Sequence, residues 1–157
     1  MALLSEWTTC LLAVLLASFT PHLVFGAFVY YAAGGSGDPY HMSLNAFTTF
    51  LDDCLIADSD SQYCKRSDCD TIFIVCNFQP DKKSAEATVN MENAMMRYEF
   101  LEAIVRLAIA KYGKGQVTDD LPTAVAMMIE KNIIPHLVPG AVLNSNTFRN
   151  ERLYNEE

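Results

Sequence analysis

Basic residues are missing from the first 64 positions of this 157-residue chain. All eleven Lys and Arg residues lie between Lys65 and Arg152, and the formal net charge is −8. An acidic chain binds nucleic acid poorly and is repelled by anionic membranes. The composition therefore predicts no nucleic-acid partner, and it confines any basic contact patch to the second part of the chain.

Metal-binding cysteine motifs are also missing. The five cysteines, at positions 10, 54, 64, 69 and 76, include no Cys-x-x-Cys pair, and no His is near any of them in sequence. A zinc site is therefore not expected. Cys69 and Cys76 are seven residues apart on a predicted helix, which is typical of small core residues. Free thiols are favoured over disulfides, although loss of residues 1–26 would leave four cysteines, enough for two bridges.

Catalytic motifs are equally absent. The acidic pairs Asp52-Asp53 and Asp119-Asp120 fall at predicted helix ends, where capping accounts for them. The glycine-rich stretch 32–40 lacks the Gly-Lys-Ser/Thr ending of a phosphate-binding loop, and no strand precedes it. We therefore predict a protein that is not an enzyme and that uses no cofactor.

An apolar segment, residues 1–31, opens the chain. Its residues Val24 and Gly26 fit a signal-peptidase site, whereas the segment has no Lys or Arg and carries Glu6. Its longest apolar run is too short to span a bilayer without interruption. A cleaved signal, a membrane anchor and an apolar leader with neither role remain alternatives, and the absence of an Asn-x-Ser/Thr sequon disfavours secretion. We expect residues 8–31 to be partly helical and to stay outside the core of the domain that follows.

An all-α domain is predicted for residues 42–131, after a glycine-rich linker at 32–41 and before a proline-containing linker and the start of a further helix at 132–157. Apolar residues recur at helical spacing in four segments. These segments are 42–54, 67–76, 95–112 and about 119–131. The predicted core residues are Phe47, Phe50, Phe73, Phe100, Ile104 and Leu107.

Helix starts are marked by short polar residues that favour the N-cap position. Ser43 is the expected cap of the first of the four helices and Ser67 of the second. Thr118 or Asp119 is expected to cap the last one, with Pro122 near its first turn.

The order of helices and loops predicts an EF-hand-like bundle whose loops have lost their calcium ligands. A loop that starts at Asp58 has Tyr63, Arg66 and Cys69 at positions 6, 9 and 12, where calcium requires glycine or oxygen donors. We therefore predict no metal and at most a short strand pairing between the two loops.

A second loop, counted from Thr88, retains half of a calcium site. It has Asn90, Glu92 and Glu99 at positions 3, 5 and 12. This set is kept as the weaker alternative to a metal-free module.

Two segments resemble a known family. Ser67-Asp-Cys-Asp-Thr-Ile-Phe73 and Arg97-Tyr-Glu-Phe-Leu-Glu-Ala-Ile-Val-Arg-Leu-Ala108 are similar to the core of the tubulin polymerization-promoting protein family. The same segments are similar to larger EF-hand-like proteins of cilia and flagella. The resemblance covers residues 42–112 and implies an EF-hand-like docking domain of the cytoskeleton or axoneme.

These observations predict a non-catalytic protein-interaction module in the cytoplasm, cytoskeleton or cilium, with tubulin or an axonemal protein as partner. The expected contacts are two basic pairs, Lys65-Arg66 and Lys82-Lys83, which would meet an acidic surface. The alternatives are a secreted or membrane-anchored helical domain and a calcium sensor with one irregular loop.

Overall fold

The computed structural model describes residues 21–78, 93–113 and 117–142. Within these residues the chain is mostly helical, with one two-stranded sheet, which confirms the all-α prediction. The elements are α1 Pro21–Ser36, β1 Met42–Ser43, α2 Leu44–Asp53, α3 Arg66–Cys76, β2 Ala94–Met95, α4 Arg97–Tyr112 and α5 Leu121–Met128. After α5 come a π-helical turn Ile129–Ile133, a short helix α6 Ile134–His136 and a 3-10 turn Pro139–Val142.

Helix α1 packs into the same hydrophobic core as the later helices. Phe28 is fully buried, and its ring centroid lies 5.5 Å from that of Phe100 in α4. The helicity expected within residues 8–31 is found from Pro21 onward, whereas residues 8–20 lie outside the described residues. The expectation that this segment stays away from the core is wrong, because α1 carries no charged side chain and buries one apolar face.

Glycines let the end of α1 approach α2 closely. The linker predicted at 32–41 begins later than expected, because its first five residues belong to α1. A Cβ at Gly35 would lie only 2.8 Å from the Cβ of Ala46 in α2. Gly37 then ends the helix with a positive φ of 76°, and its N–H donates to the carbonyl of Ala33.

Side-chain caps start α2 and α3. Ser43 caps α2 as predicted, since its hydroxyl accepts from the N–H of Ala46 at 3.3 Å. Helix α3 begins earlier than predicted, with Lys65 instead of Ser67 at the N-cap position. Asp68 accepts from the backbone N–H of Lys65 at 2.9 Å, which satisfies a donor at the helix start and places an acid in the first turn.

The sheet joins two helix–strand–helix units, α1–β1–α2 and α3–β2–α4. Strands β1 and β2 are antiparallel, with Met42 opposite Met95. The sheet is as short as predicted, but its first strand precedes α2 and does not come from the loop that starts at Asp58. That loop instead closes on itself, because the N–H of Asp58 donates to the carbonyl of Cys64 at 2.9 Å.

Aromatic rings connect the helices at the centre of the core. Phe50 of α2 lies 5.1 Å from Phe100 of α4, and Phe47 lies 5.4 Å from Phe73 of α3. Such pairs add stability beyond the area they bury. All six residues predicted for the core are buried: Phe47, Phe50, Phe73, Phe100, Ile104 and Leu107.

A polar network closes the turn that follows α2. This turn contains Leu55 with a positive φ of 50°. The ammonium of Lys111 donates to the carbonyls of Leu55 and Ile56 at 2.7 and 2.8 Å. The amide of Asn132 donates to the carbonyls of Leu55 and Cys54 at 2.9 and 3.2 Å. Side chains from α4 and the π-helical turn thus bind carbonyls that the end of α2 leaves without a helical partner.

Helix α5, the π-helical turn and α6 form one continuous helix that passes through Pro135, so residues 132–136, predicted to belong to a linker, are helical. Proline has no N–H and its ring crowds the carbonyl four residues earlier, so the helix widens ahead of it. The N–H of Ile134 accordingly donates to the carbonyl of Ile129, five residues back. At the other end, the predicted cap is corrected: Asp120 caps α5 by accepting from the N–H of Thr123 at 3.0 Å.

Candidate docking groove between helices α1 and α2

Helix α1 has a second apolar face that the core does not cover. Phe25 and Val29 are one helical turn apart, and Tyr30 lies beside them. Val29 is 37% exposed and Tyr30 42% exposed, although neighbouring Phe28 is fully buried. The outward face of α1 is therefore an open apolar surface.

Helix α2 forms the second wall of a groove along this surface. Asn45, Thr49 and Asp53 follow one another at intervals of four residues and line the groove together with the outward face of α1. The groove encloses about 990 Å³. At Gly34 a Cβ would meet nothing within 4 Å, so the backbone of α1 is accessible there.

Charged groups stand at two places along the groove. The guanidinium of Arg97, the first residue of α4, lies 5.3 Å from the ring centroid of Phe25. The carboxylate of Asp53 accepts a hydrogen bond from the hydroxyl of Tyr31 at 2.9 Å. Burial, and then this hydrogen bond, raise the pKa of Tyr31 above its ordinary value. Tyr31 therefore stays protonated and is the donor of this hydrogen bond.

The 3-10 turn Pro139–Val142 forms the third wall. The carbonyl oxygen of Ala141 lies 2.6 Å from where a Cβ of Gly26 would be. A Cβ at Gly140 would lie 2.9 Å from the ring of Tyr30. Glycine on each side of the contact thus allows the turn to pack directly on α1.

The basic residues predicted to contact a partner lie elsewhere. Lys65 is exposed at the start of α3. Arg66 forms an ion pair with Asp52 and donates to the carbonyl of Thr48 at 3.3 Å, so it ties α3 to α2. Lys82 and Lys83 lie outside the described residues.

Of the three residues of the alternative calcium site, the structure describes only Glu99, and Asn90 and Glu92 lie outside the described residues. Glu99 is 1% exposed in the first turn of α4. Its carboxylate accepts from the N–H of Met96 at 2.7 Å and from the hydroxyl of Tyr98 at 3.3 Å. In the described part of the chain, no group of three or more His, Cys, Asp or Glu side chains is arranged to hold a metal ion.

The four described cysteines are buried free thiols, in agreement with the preference for thiols over disulfides. Burial raises the pKa of Cys54 and of Cys76 to about 12. Cys64 and Cys69 share a hydrogen bond, which holds the pKa of Cys64 below its ordinary value and raises that of Cys69. Reactive cysteines need a thiolate and access to solvent, and burial denies that access to all four.

A smaller groove of about 390 Å³ lies between α3 and α4. Ile72, Val75 and Ile109 supply its apolar lining. Arg106 lines it too, but its guanidinium is held by Glu102 of the same helix at 2.7 Å. The groove along α1 is therefore the larger of the two.

Sequence patterns missed the groove along α1. The available signal was the lack of any Asp, Glu, Lys or Arg in the 16 residues of α1, which indicates a helix with apolar residues on more than one face. The same lack of charge is shared by signal sequences and anchors, which were considered instead. Among the helices that the structure describes, none combines the length and apolar character needed to cross a membrane.

No protein-family model, curated protein sequence or solved structure matches this chain.

Proposed function

We propose that this chain is a non-catalytic protein-interaction module and that the groove between α1 and α2 is its contact surface. The supporting observation is the groove itself. Its apolar floor, formed by Phe25, Val29 and Tyr30 of α1, is accompanied by a cation at Arg97 and a carboxylate at Asp53. Protein-binding surfaces have this composition, with apolar anchor sites surrounded by polar groups.

Several side chains of types that could take part in catalysis are engaged in structural contacts instead, which supports a binding role. The thiols of Cys54 and Cys76 are buried and have pKa values of about 12. Asp68 and Asp120 cap helices, and Asp52 pairs with Arg66. None of these groups is presented to the groove.

The scaffold we propose is a degenerate EF-hand-like pair made of the two helix–strand–helix units. The pairing of Met42 with Met95 aligns the two loops, with both residues at position 8 when the second loop is counted from Thr88. In this alignment the first loop has Gly37 and Pro39 at positions 3 and 5, where calcium needs oxygen ligands from side chains. In the second, Glu99 takes the twelfth position and caps α4. Micromolar calcium binding in a calorimetric titration of the full chain would overturn the metal-free part of this proposal.

The partner class is a cytoskeletal or axonemal protein such as tubulin, and it rests on the family resemblance. Such a partner presents an acidic surface, toward which Lys65 and the sequence pair Lys82-Lys83 would add attraction. Arg66 contributes less, because Asp52 already neutralises it. The corresponding location is the cytoplasm, cytoskeleton or cilium.

Co-sedimentation of the full chain with microtubules tests the proposal. We expect the wild type to pellet, increasing salt to reduce pelleting, and Lys82→Glu/Lys83→Glu to reduce it strongly. Lys114→Glu/Lys131→Glu is the matched control, since it changes the net charge by the same amount. A wild type that stays in the supernatant at low salt refutes tubulin as the partner.

A second pair of variants tests the groove. Gly34→Trp would fill the groove at a position where a Cβ meets nothing, so the fold should tolerate it. Gly34→Ala adds only a methyl group and should pellet as the wild type does. Equal pelleting of the two variants would show that the partner does not use this groove.

A further inference from the structure

The groove along α1 opens beside the point where the described chain ends. The 3-10 turn that forms its third wall finishes at Val142, which is 41% exposed. Gly140 and Ala141 hold this turn against α1 through the contacts with Tyr30 and Gly26. The last described turn therefore lies at the edge of the groove.

The remaining chain is long enough to fill the groove. Fifteen residues, 143–157, follow Val142. They reach about 50 Å when fully extended and about 22 Å when helical. The stretch of α1 from Phe25 to Gly35 is roughly 15 Å long, because each helical residue rises 1.5 Å. Either conformation covers that distance.

Charge complementarity selects this segment over the other end of the chain. The groove presents the carboxylate of Asp53 and the guanidinium of Arg97. Residues 1–20 carry a single charge, on Glu6, and no base that would pair with Asp53. Residues 143–157 carry two bases and three acids: Arg149, Arg152, Glu151, Glu156 and Glu157.

The same segment supplies apolar anchors. Phe148 is followed directly by Arg149, so an aromatic ring and a base come from neighbouring positions. The floor made by Phe25, Val29 and Tyr30 suits an aromatic ring, and Asp53 suits the base.

We propose that residues 143–157 of this chain bind in the groove between α1 and α2, with Phe148 on its apolar floor and Arg149 or Arg152 at Asp53. The inference rests on the proposed function, because the segment then competes with the partner protein for one surface.

Binding of a fluorescein-labelled peptide with the sequence of residues 143–157, followed by fluorescence polarisation, tests this inference. The full-length wild type, whose own segment occupies the groove, should bind the peptide weakly. The full chain with Phe148→Asp should bind the peptide about tenfold more tightly. This is the gain in affinity expected if the segment occupies the groove in about 90% of wild-type molecules and in few of the variant molecules.

Three further substitutions test whether the peptide binds in the groove. Added to Phe148→Asp, Gly34→Trp should abolish peptide binding, Gly34→Ala should leave it unchanged, and Asp53→Asn should weaken it and lower its salt sensitivity. Equal affinity of wild type and Phe148→Asp, no binding to either, or no effect of Gly34→Trp would overturn the assignment. Sedimentation of the wild type as a dimer that Phe148→Asp dissociates would also overturn it, by giving the groove to a second copy.

The microtubule assay separates this inference from the proposed function. If both hold, Phe148→Asp pellets more than the wild type. If Phe148→Asp exposes the groove to the peptide while no variant pellets, the inference stands and tubulin binding fails. If variants pellet normally while the peptide never binds, the function stands and the inference is overturned.

Discussion

Replacing Phe28 by alanine should strongly destabilise the protein, because this residue joins α1 to the common core. Its side chain is fully buried and its ring lies 5.5 Å from that of Phe100. Truncation of a buried Phe to Ala costs about 3–5 kcal/mol, of which about 0.5–1.5 kcal/mol reflects the ring pair. Domains of this size unfold with about 5–15 kcal/mol in total, so the loss is a large share.

Urea denaturation of the full chain, followed by far-ultraviolet circular dichroism, measures this loss. In a thermal melt followed by the same signal, the melting temperature should fall by about 6–20 °C, at 2–4 °C per kcal/mol. Val29→Ala is the matched control on the same helix, since Val29 is 37% exposed, and it should cost less than about 1 kcal/mol. Phe28→Leu keeps most of the apolar volume and should be intermediate, which gives a readout even if Phe28→Ala does not fold. Equal stability of Phe28→Ala and Val29→Ala would refute the packing of α1 in the core.

Three further predictions follow from the polar and thiol groups. Asn132→Ala should lower the free energy of unfolding by about 1–3 kcal/mol in urea titrations, because it removes the donor to the carbonyl of Cys54 and one of the two donors to the carbonyl of Leu55; no change would contradict the network. The N–H of Tyr40, and second the imidazole of His41, hold the pKa of Asp38 below its ordinary value. The ionised carboxylate therefore stabilises the fold above the pKa that Asp38 has in the unfolded chain. This stabilisation is lost as the pH falls through the lower pKa that Asp38 has in the folded chain. Asp38→Asn should thus be less stable than wild type at pH 7, with a gap that narrows below about pH 4, and a gap that widens in acid would show the sign to be wrong. Cys54 and Cys76, with pKa values of about 12, should resist iodoacetamide at pH 8 until urea unfolds the chain, as peptide mass mapping would show; rapid labelling of the native protein would contradict their burial.

Helical spacing was enough to predict most of the bundle. Phe47 and Phe50 are three residues apart, which places them on one helical face, and both are fully buried. Local capping chemistry was also readable at Ser43, whose hydroxyl binds the backbone as expected. Predictions of this kind succeed because they depend on residues within one or two helical turns of each other.

The predictions that failed depend on contacts between distant residues. Gly35 resembles a linker residue in sequence, yet it is needed where α1 meets Ala46. The paired strands bring Met42 to Met95, and no local pattern identifies such partners. The sequence of α1, which has no Asp, Glu, Lys or Arg, indicated the apolar side of the candidate groove. The position of Arg97 beside Phe25 could not be predicted from sequence, because it depends on how α4 packs near α1.

The network that closes the turn after α2 also sets an order of events during synthesis. The carbonyl of Leu55 is made 56 residues before Lys111 and 77 residues before Asn132. At about 5–20 residues per second, the wait for Asn132 lasts roughly 4–15 s. Over that interval Asn132 cannot bind the carbonyls of Cys54 and Leu55, so the network can be completed only after Asn132 has been translated.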